Sequence, residues 1–111
     1  MISVLITRSS GLGTIVGFEV KGHAGYARRG EDIVCAGVSA VTVGTVNSIE
    51  ILTGISMDTS MKNGFLSGTL SSVEDTEVSA KVQLLLESMV VMLSDIAESY
   101  GKYIQIQQVI I

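Results

Sequence analysis

The sequence predicts an α+β fold: a two-layer sandwich with two helices packed on one mixed, mostly antiparallel sheet, in the order β-β-α-β-β-α-β. Three observations predict it. Apolar residues alternate with period two in short runs near both termini and around residue 60. Two longer segments carry helical spacing instead, and most connections are hairpin-sized. The 111 residues are 47% hydrophobic and 16% charged, enough for one core and too apolar for a disordered chain, so residues 1–111 read as a single domain.

Ile2 to Arg8 alternates, with Val4 and Ile6 on one face and Ser3, Leu5 and Thr7 on the other. Ser9 to Gly13 is a turn cluster, and Thr14 to Lys21 resumes the alternation, placing Val16, Phe18 and Val20 on a shared face opposite Ile15. Gly11-Leu12-Gly13 is not a dinucleotide fingerprint, because no helix follows it. From His23 to Glu31 the periodicity stops and Gly25 and Gly30 mark a loop. Asp32 is then placed to cap a helix from Ile33 to about Leu52, ending near Gly54. That helix is apolar nearly all round, which predicts a position in the middle of the domain. Val41-Thr42-Val43 has strand propensity, but the length of the segment and its lack of a turn signal decide for helix.

Ile55 to Met61 reads as a short strand, Lys62-Asn63-Gly64 as a hairpin turn, and Phe65 to Leu70 as the returning strand. Ser71 and Glu74 have capping-box spacing, so Ser71 to Asp75 is expected to start the second helix. Val78, Val82, Leu86, Met89, Leu93 and Ile96 give it one broad apolar stripe, and Gly101 ends it. Tyr103 to Ile110 alternates as a last strand.

Composition removes several functions. The formal charge is −4, and no basic cluster exceeds Arg28-Arg29, which argues against direct nucleic-acid binding and suits a basic protein partner. A lone cysteine makes no internal disulfide, and one Cys with one His falls short of a structural zinc set, so neither metal nor cofactor is expected. Met1 to Arg8 lacks the basic start and small-residue cleavage site of a secretory signal. No unbroken apolar run reaches the ~18 residues of a membrane span. The expectation is a cytoplasmic protein without membrane contact.

The stretch from Lys21 to Cys35 holds the only histidine and the only cysteine, twelve positions apart. A thiol becomes a strong nucleophile when a neighbour takes its proton, and an imidazole does this. With Asp32 as cap, Cys35 falls in the first helical turn, where unpaired N–H groups and the helix dipole favour thiolate. Glu31 and Asp32 oppose that second anion. Two other readings stand beside the Cys-His site. One is an interaction module whose Cys and His are structural; the other is a redox thiol passing through sulfenic acid.

Gly22-His23-Ala24-Gly25-Tyr26-Ala27, then Gly30-Glu31-Asp32-Ile33-Val34-Cys35-Ala36-Gly37-Val38-Ser39-Ala40, with Asn47 further on, closely resembles the ribosomal-processing cysteine protease family, Prp. The resemblance implies an endopeptidase that removes a short N-terminal extension from a large-subunit ribosomal protein, the twenty-seventh in the standard count, at a hydrophobic, phenylalanine-containing site. It implies Cys35 as nucleophile and His23 as general base. Asp32 is implied to cap the helix, to hold His23 and to help bind substrate, and Ser39, one turn beyond Cys35 on the same helical face, to line the substrate site. Gly25 and Gly30 belong to a loop that, in the family, moves to admit substrate. The resemblance further implies a homodimer. An oxyanion is expected to meet backbone N–H groups at the start of the helix, and no third residue orienting the imidazole is identifiable.

Overall fold

The computed structural model describes residues Met1–Ile111. Its elements are β1 (Ile2–Arg8), β2 (Ile15–Lys21), α1 (Ile33–Thr53), β3 (Asp58–Lys62), β4 (Phe65–Thr69), α2 (Thr76–Ser99) and β5 (Ile104–Ile110). The class and the element order are those expected. The strands form one five-stranded sheet in the order β3-β4-β2-β1-β5, antiparallel throughout except where β5 runs parallel to β1. The parallel pair follows from α2, a helix long enough to carry the chain back across the sheet before β5 begins.

Alternation decides which face is buried. Ile2, Val4 and Ile6 of β1 point inward with Phe18 and Val20 of β2, Leu66 of β4 and Ile104 of β5. They meet Val34, Val38 and Ile49 of α1 and Val82, Leu86, Met89 and Leu93 of α2, all nearly or fully buried. The helices therefore cover one face only, which makes two layers.

Several details depart from the sequence reading. The β1–β2 register shifts between Thr7 and Arg8, which pair with Gly17 and Ile15, so Val16 is the extra residue of a bulge. The bulge turns Ile15 inward, fully buried, and leaves Val16 partly exposed, reversing their expected faces. The third strand begins at Asp58 rather than Ile55, and Met57 before it is buried. The Ser71–Glu74 box does not form. The cap of α2 is Asp75, whose carboxylate accepts from the N–H groups of Glu77 and Val78 at 2.9 and 3.1 Å; an aspartate there competes well with a serine four residues earlier.

Helix α1 is also less central than its composition suggests. It buries Val34, Val38, Thr42, Thr45 and Ile49, but Ile33, Ile51 and Leu52 are exposed. Thr42 and Thr45 are accommodated because each hydroxyl donates to the carbonyl one turn back, Val38 O and Val41 O. By length and composition α1 is long and apolar enough to cross a membrane, although its apolar run is interrupted. In this fold it is one of two helices packed against each other and the sheet.

Candidate active site

His23 lies just past the end of β2, and the backbone of Gly22 and His23 is held from two sides. The N-terminal ammonium of Met1 donates to His23 O at 2.7 Å, and the N–H of Gly22 donates to Gly64 O at 2.9 Å. The second bond brings the β3–β4 turn alongside the imidazole. A β carbon built on Gly64 would lie 2.8 Å from His23 Nε2, so the ring occupies space that only a glycine leaves open. The turn is not the primed type that Asn-Gly favours, which needs positive φ at both central residues; Gly64 has φ +71°, and no non-glycine residue has positive φ.

Cys35 is partly buried in the first turn of α1, where Asp32 caps the helix as the sequence predicts. One Asp32 oxygen, Oδ1, accepts from the N–H groups of Val34 and Cys35, both at 3.0 Å. The other, Oδ2, accepts from the N–H groups of Tyr26 and Ala27 at 2.9 and 3.3 Å. The Asp32 carboxylate thus ties the loop to the helix start, a clamp invisible to the capping rule alone. These bonds, that from Cys35 N–H foremost, hold the Asp32 carboxyl below its ordinary value. Both oxygens are engaged by backbone, so the expected hold of Asp32 on His23 is not a hydrogen bond.

The loop itself folds back on the thiol. Ala24, buried beside the core, donates its N–H to Cys35 Sγ at 3.3 Å. Farther along, the Tyr26 ring packs edge-on against Tyr100 and Tyr103, with centroids 5.7 and 5.2 Å apart, which anchors the loop to the end of α2. Three of the N–H groups expected to meet an oxyanion at the helix start are already engaged in this structure. The N–H groups of Val34 and Cys35 are spent on the Asp32 carboxylate, and that of Ala36 on Asp32 O at 3.0 Å.

Two clefts meet here. One, of about 230 Å³, lies between the first half of α1 and the β3–β4 hairpin, with Val38, Ser39 and Val43 on the helix side and Met61, Phe65 and Leu66 opposite. The other, of about 270 Å³, runs beneath the loop and is bounded by Gly25, Ala27, Arg29, Gly30 and Asp32. His23, Cys35 and Asn63 border both. His23 and Cys35 therefore both line the two clefts, with Ser39 in the apolar cleft and Gly25, Gly30 and Asp32 in the loop cleft. Sequence reasoning missed Asn63, which it read only as half of a turn signal. No group of three or more His, Cys, Asp or Glu is disposed to hold a metal ion. A thiol and an imidazole at the mouth of a partly apolar groove are equipped for acyl transfer to sulfur.

Comparison with known proteins points the same way. The family profile described as "Cysteine protease Prp" matches residues 1–105. The ribosomal processing cysteine protease Prp of Bacillus subtilis is 40% identical over 102 residues, covering 90% of each chain. That of Staphylococcus aureus is 37% identical over 106 residues, covering 96% of this chain and 97% of its own. The crystal structure of the S. aureus ribosomal processing protease Prp with a covalently linked product peptide superposes with a TM-score of 0.88 at 34% identity, covering 98% of this chain and all of that one. A second, with a substrate peptide, gives 0.83. With a profile match along nearly its whole length and relatives this close, the chain belongs to the Prp family of cysteine proteases.

Proposed function

We propose that this protein is a cytoplasmic endopeptidase that removes the short N-terminal extension of a large-subunit ribosomal protein, the twenty-seventh, using Cys35 and His23 as a catalytic dyad. The observation that carries the reading is that these two residues line both clefts. An extended peptide laid through the clefts passes its backbone over the sulfur. The apolar cleft suits the phenylalanine side chains of the cleavage site, and the acidic balance of the chain, −4, suits a basic ribosomal substrate.

In this mechanism His23 takes the thiol proton and Cys35 Sγ attacks the scissile carbonyl. His23 then protonates the leaving amine, and water hydrolyses the thioester with His23 as base. Asp32 acts through backbone, by holding the loop and the helix start together. The loop over Cys35 must move for substrate to enter, with Gly25 and Gly30 as its pivots. Residues 1–111 act as one domain, and two copies associate through the outer helix face, where Leu84, Val91, Ile51 and Leu52 are exposed.

Incubation of the purified protein with a peptide spanning the extension tests this, with products read by mass. Cleavage at the hydrophobic site, abolished by Cys35→Ala and by His23→Ala in variants that unfold at the wild-type temperature, is the expected result. Cleavage that survives Cys35→Ala overturns it. Reversible sulfenic acid formation at Cys35 without any cleavage would move the assignment to redox chemistry.

A further inference from the structure

Three residues line both clefts, and the dyad uses two of them. Building on the dyad reading, we propose that the third, Asn63, is the oxyanion donor, its carboxamide N–H meeting the scissile carbonyl oxygen as the tetrahedral intermediate forms.

Acyl transfer puts a negative charge on that oxygen, and a site that leaves it unpaired gives up one of the largest contributions to catalysis. Most of the helix start is already committed. The N–H groups of Val34, Cys35 and Ala36 all donate to Asp32. Ile33, whose N–H precedes them, borders neither cleft. The N–H of Ala24 is directed at the sulfur. Arg29 borders the loop cleft only, away from the junction.

Asn63 is exposed and its carboxamide takes part in none of the side-chain hydrogen bonds at the site, leaving two N–H donors free. It is also well held. Lys62 pairs with Phe65 across the turn, and Gly64 is bonded to the residue preceding His23 and packs on the imidazole. The backbone of the turn that carries Asn63 therefore stays beside His23 when the loop moves. Nor does the turn require asparagine at this position, since the left-handed residue is Gly64.

The step balances without further reagents. The thiol proton goes to His23, and the S–C bond forms as the carbonyl π pair moves onto oxygen, where Asn63 N–H meets it. When that pair returns, the C–N bond breaks and the amine leaves with the proton held by His23.

The test uses the full chain with Asn63→Ala and Asn63→Asp, the latter keeping shape while replacing the donor by an acceptor. Both should lower kcat by roughly 100- to 1,000-fold, with KM within about twofold. Affinity for a peptide aldehyde, which forms a tetrahedral adduct on the sulfur, should fall in parallel. Alkylation of Cys35 by iodoacetamide, a displacement at saturated carbon that develops no oxyanion, should change by less than about threefold. Unchanged kcat in folded variants overturns the proposal. So does alkylation slowing together with kcat, which would make Asn63 a positioning residue for His23. Wild-type protein that is alkylated but cuts no peptide fails the dyad reading itself, and is distinguished because it is seen before any variant is made.

Discussion

The imidazole of His23 and the backbone of Gly64 fill complementary space: a β carbon at residue 64 would stand 2.8 Å from Nε2. The β3–β4 turn is thus the back wall of the site, held there by the bond from Gly22 N–H to Gly64 O. Thirty-nine positions before Gly64, Gly25 lies in the loop that forms the opposite wall. His23 stands between one wall braced by sheet pairing and another braced by the Asp32 carboxylate.

Gly64→Ala should therefore separate stability from activity. Gly54, the cap of α1, has a similar φ of +76° against +71°, but a β carbon there meets nothing within 4 Å. Both substitutions should cost about 1 to 2 kcal/mol for placing an L residue in the left-handed region. Only Gly64→Ala should also displace the imidazole and lower kcat/KM, by roughly tenfold or more. Thermal unfolding and peptide cleavage on the two variants check this; equal activities would show that the ring does not depend on the gap.

Asp32 links stability to pH with a definite sign. Its carboxyl is held below the ordinary value, mainly by Cys35 N–H, so its contribution is full above the unfolded value of about 4. That contribution is lost as pH falls through the lowered folded value. Tm of the wild type should drop on acidification in that window, and Asp32→Asn should start lower at neutral pH and lose less. Cleavage by Asp32→Asn should also fall, since an amide presents N–H where Tyr26 and Ala27, or Val34 and Cys35, need an acceptor. A parallel pH slope in the two proteins would remove Asp32 from the account.

Away from the site, two side chains of α2 reach the β1–β2 hairpin with unequal consequences. Gln83 accepts from Ile15 N–H and donates to Ile15 O, both at 2.8 Å, closing the backbone of a fully buried residue at the bulge. Glu87 makes a two-bond ion pair with Arg8 at 2.7 and 2.8 Å, its carboxyl lowered and the guanidinium raised by that hydrogen bond, but Glu87 is 46% exposed. Gln83→Ala should cost about 1 to 3 kcal/mol for the unpaired backbone groups. Glu87→Gln should cost below about 1 kcal/mol and less still at high salt. Denaturant titrations at two ionic strengths rank them.

What the sequence made legible was local. Asp32 announces the start of α1 because capping is decided within three residues, and Gly54 announces its end for the same reason. The alternation of β1 and β4 survives because nothing interrupts their pleat, whereas that of β5 breaks after Ile106. Val16 was misplaced because a bulge leaves no mark on an apolar run, and the Ser71–Glu74 box because its spacing is common while Asp75 is simply the better placed cap. His23 and Cys35 stood out by being solitary. Asn63 did not, since its contribution comes from a strand pairing that brings residue 64 against residue 22, a long-range relation no local pattern encodes.

The exposed apolar face of the helices gives the last prediction. Leu84, Val91 and Met92 of α2 are 70%, 60% and 39% exposed, beside Ile51 and Leu52 at 81% and 69% near the end of α1. Between the helices lies a depression of about 300 Å³ whose floor includes Ala40, Gly44 and Ser88, small enough to let another backbone approach. Leaving such a patch in water is unfavourable by roughly 25 cal/mol per Å² of apolar area, and a second copy covering it recovers that term against the entropy cost of association. In sedimentation the wild type should run at twice the 11.7 kDa chain mass. A double variant, Leu84→Asp with Val91→Asp, should run at the single-chain mass, since burying two carboxylates without partners costs far more than the interface returns. Neither residue borders the clefts, so loss of cleavage in a double variant that melts at the wild-type temperature would have to come through the partner. A wild type at the single-chain mass at micromolar concentration would assign this face to something other than a second copy.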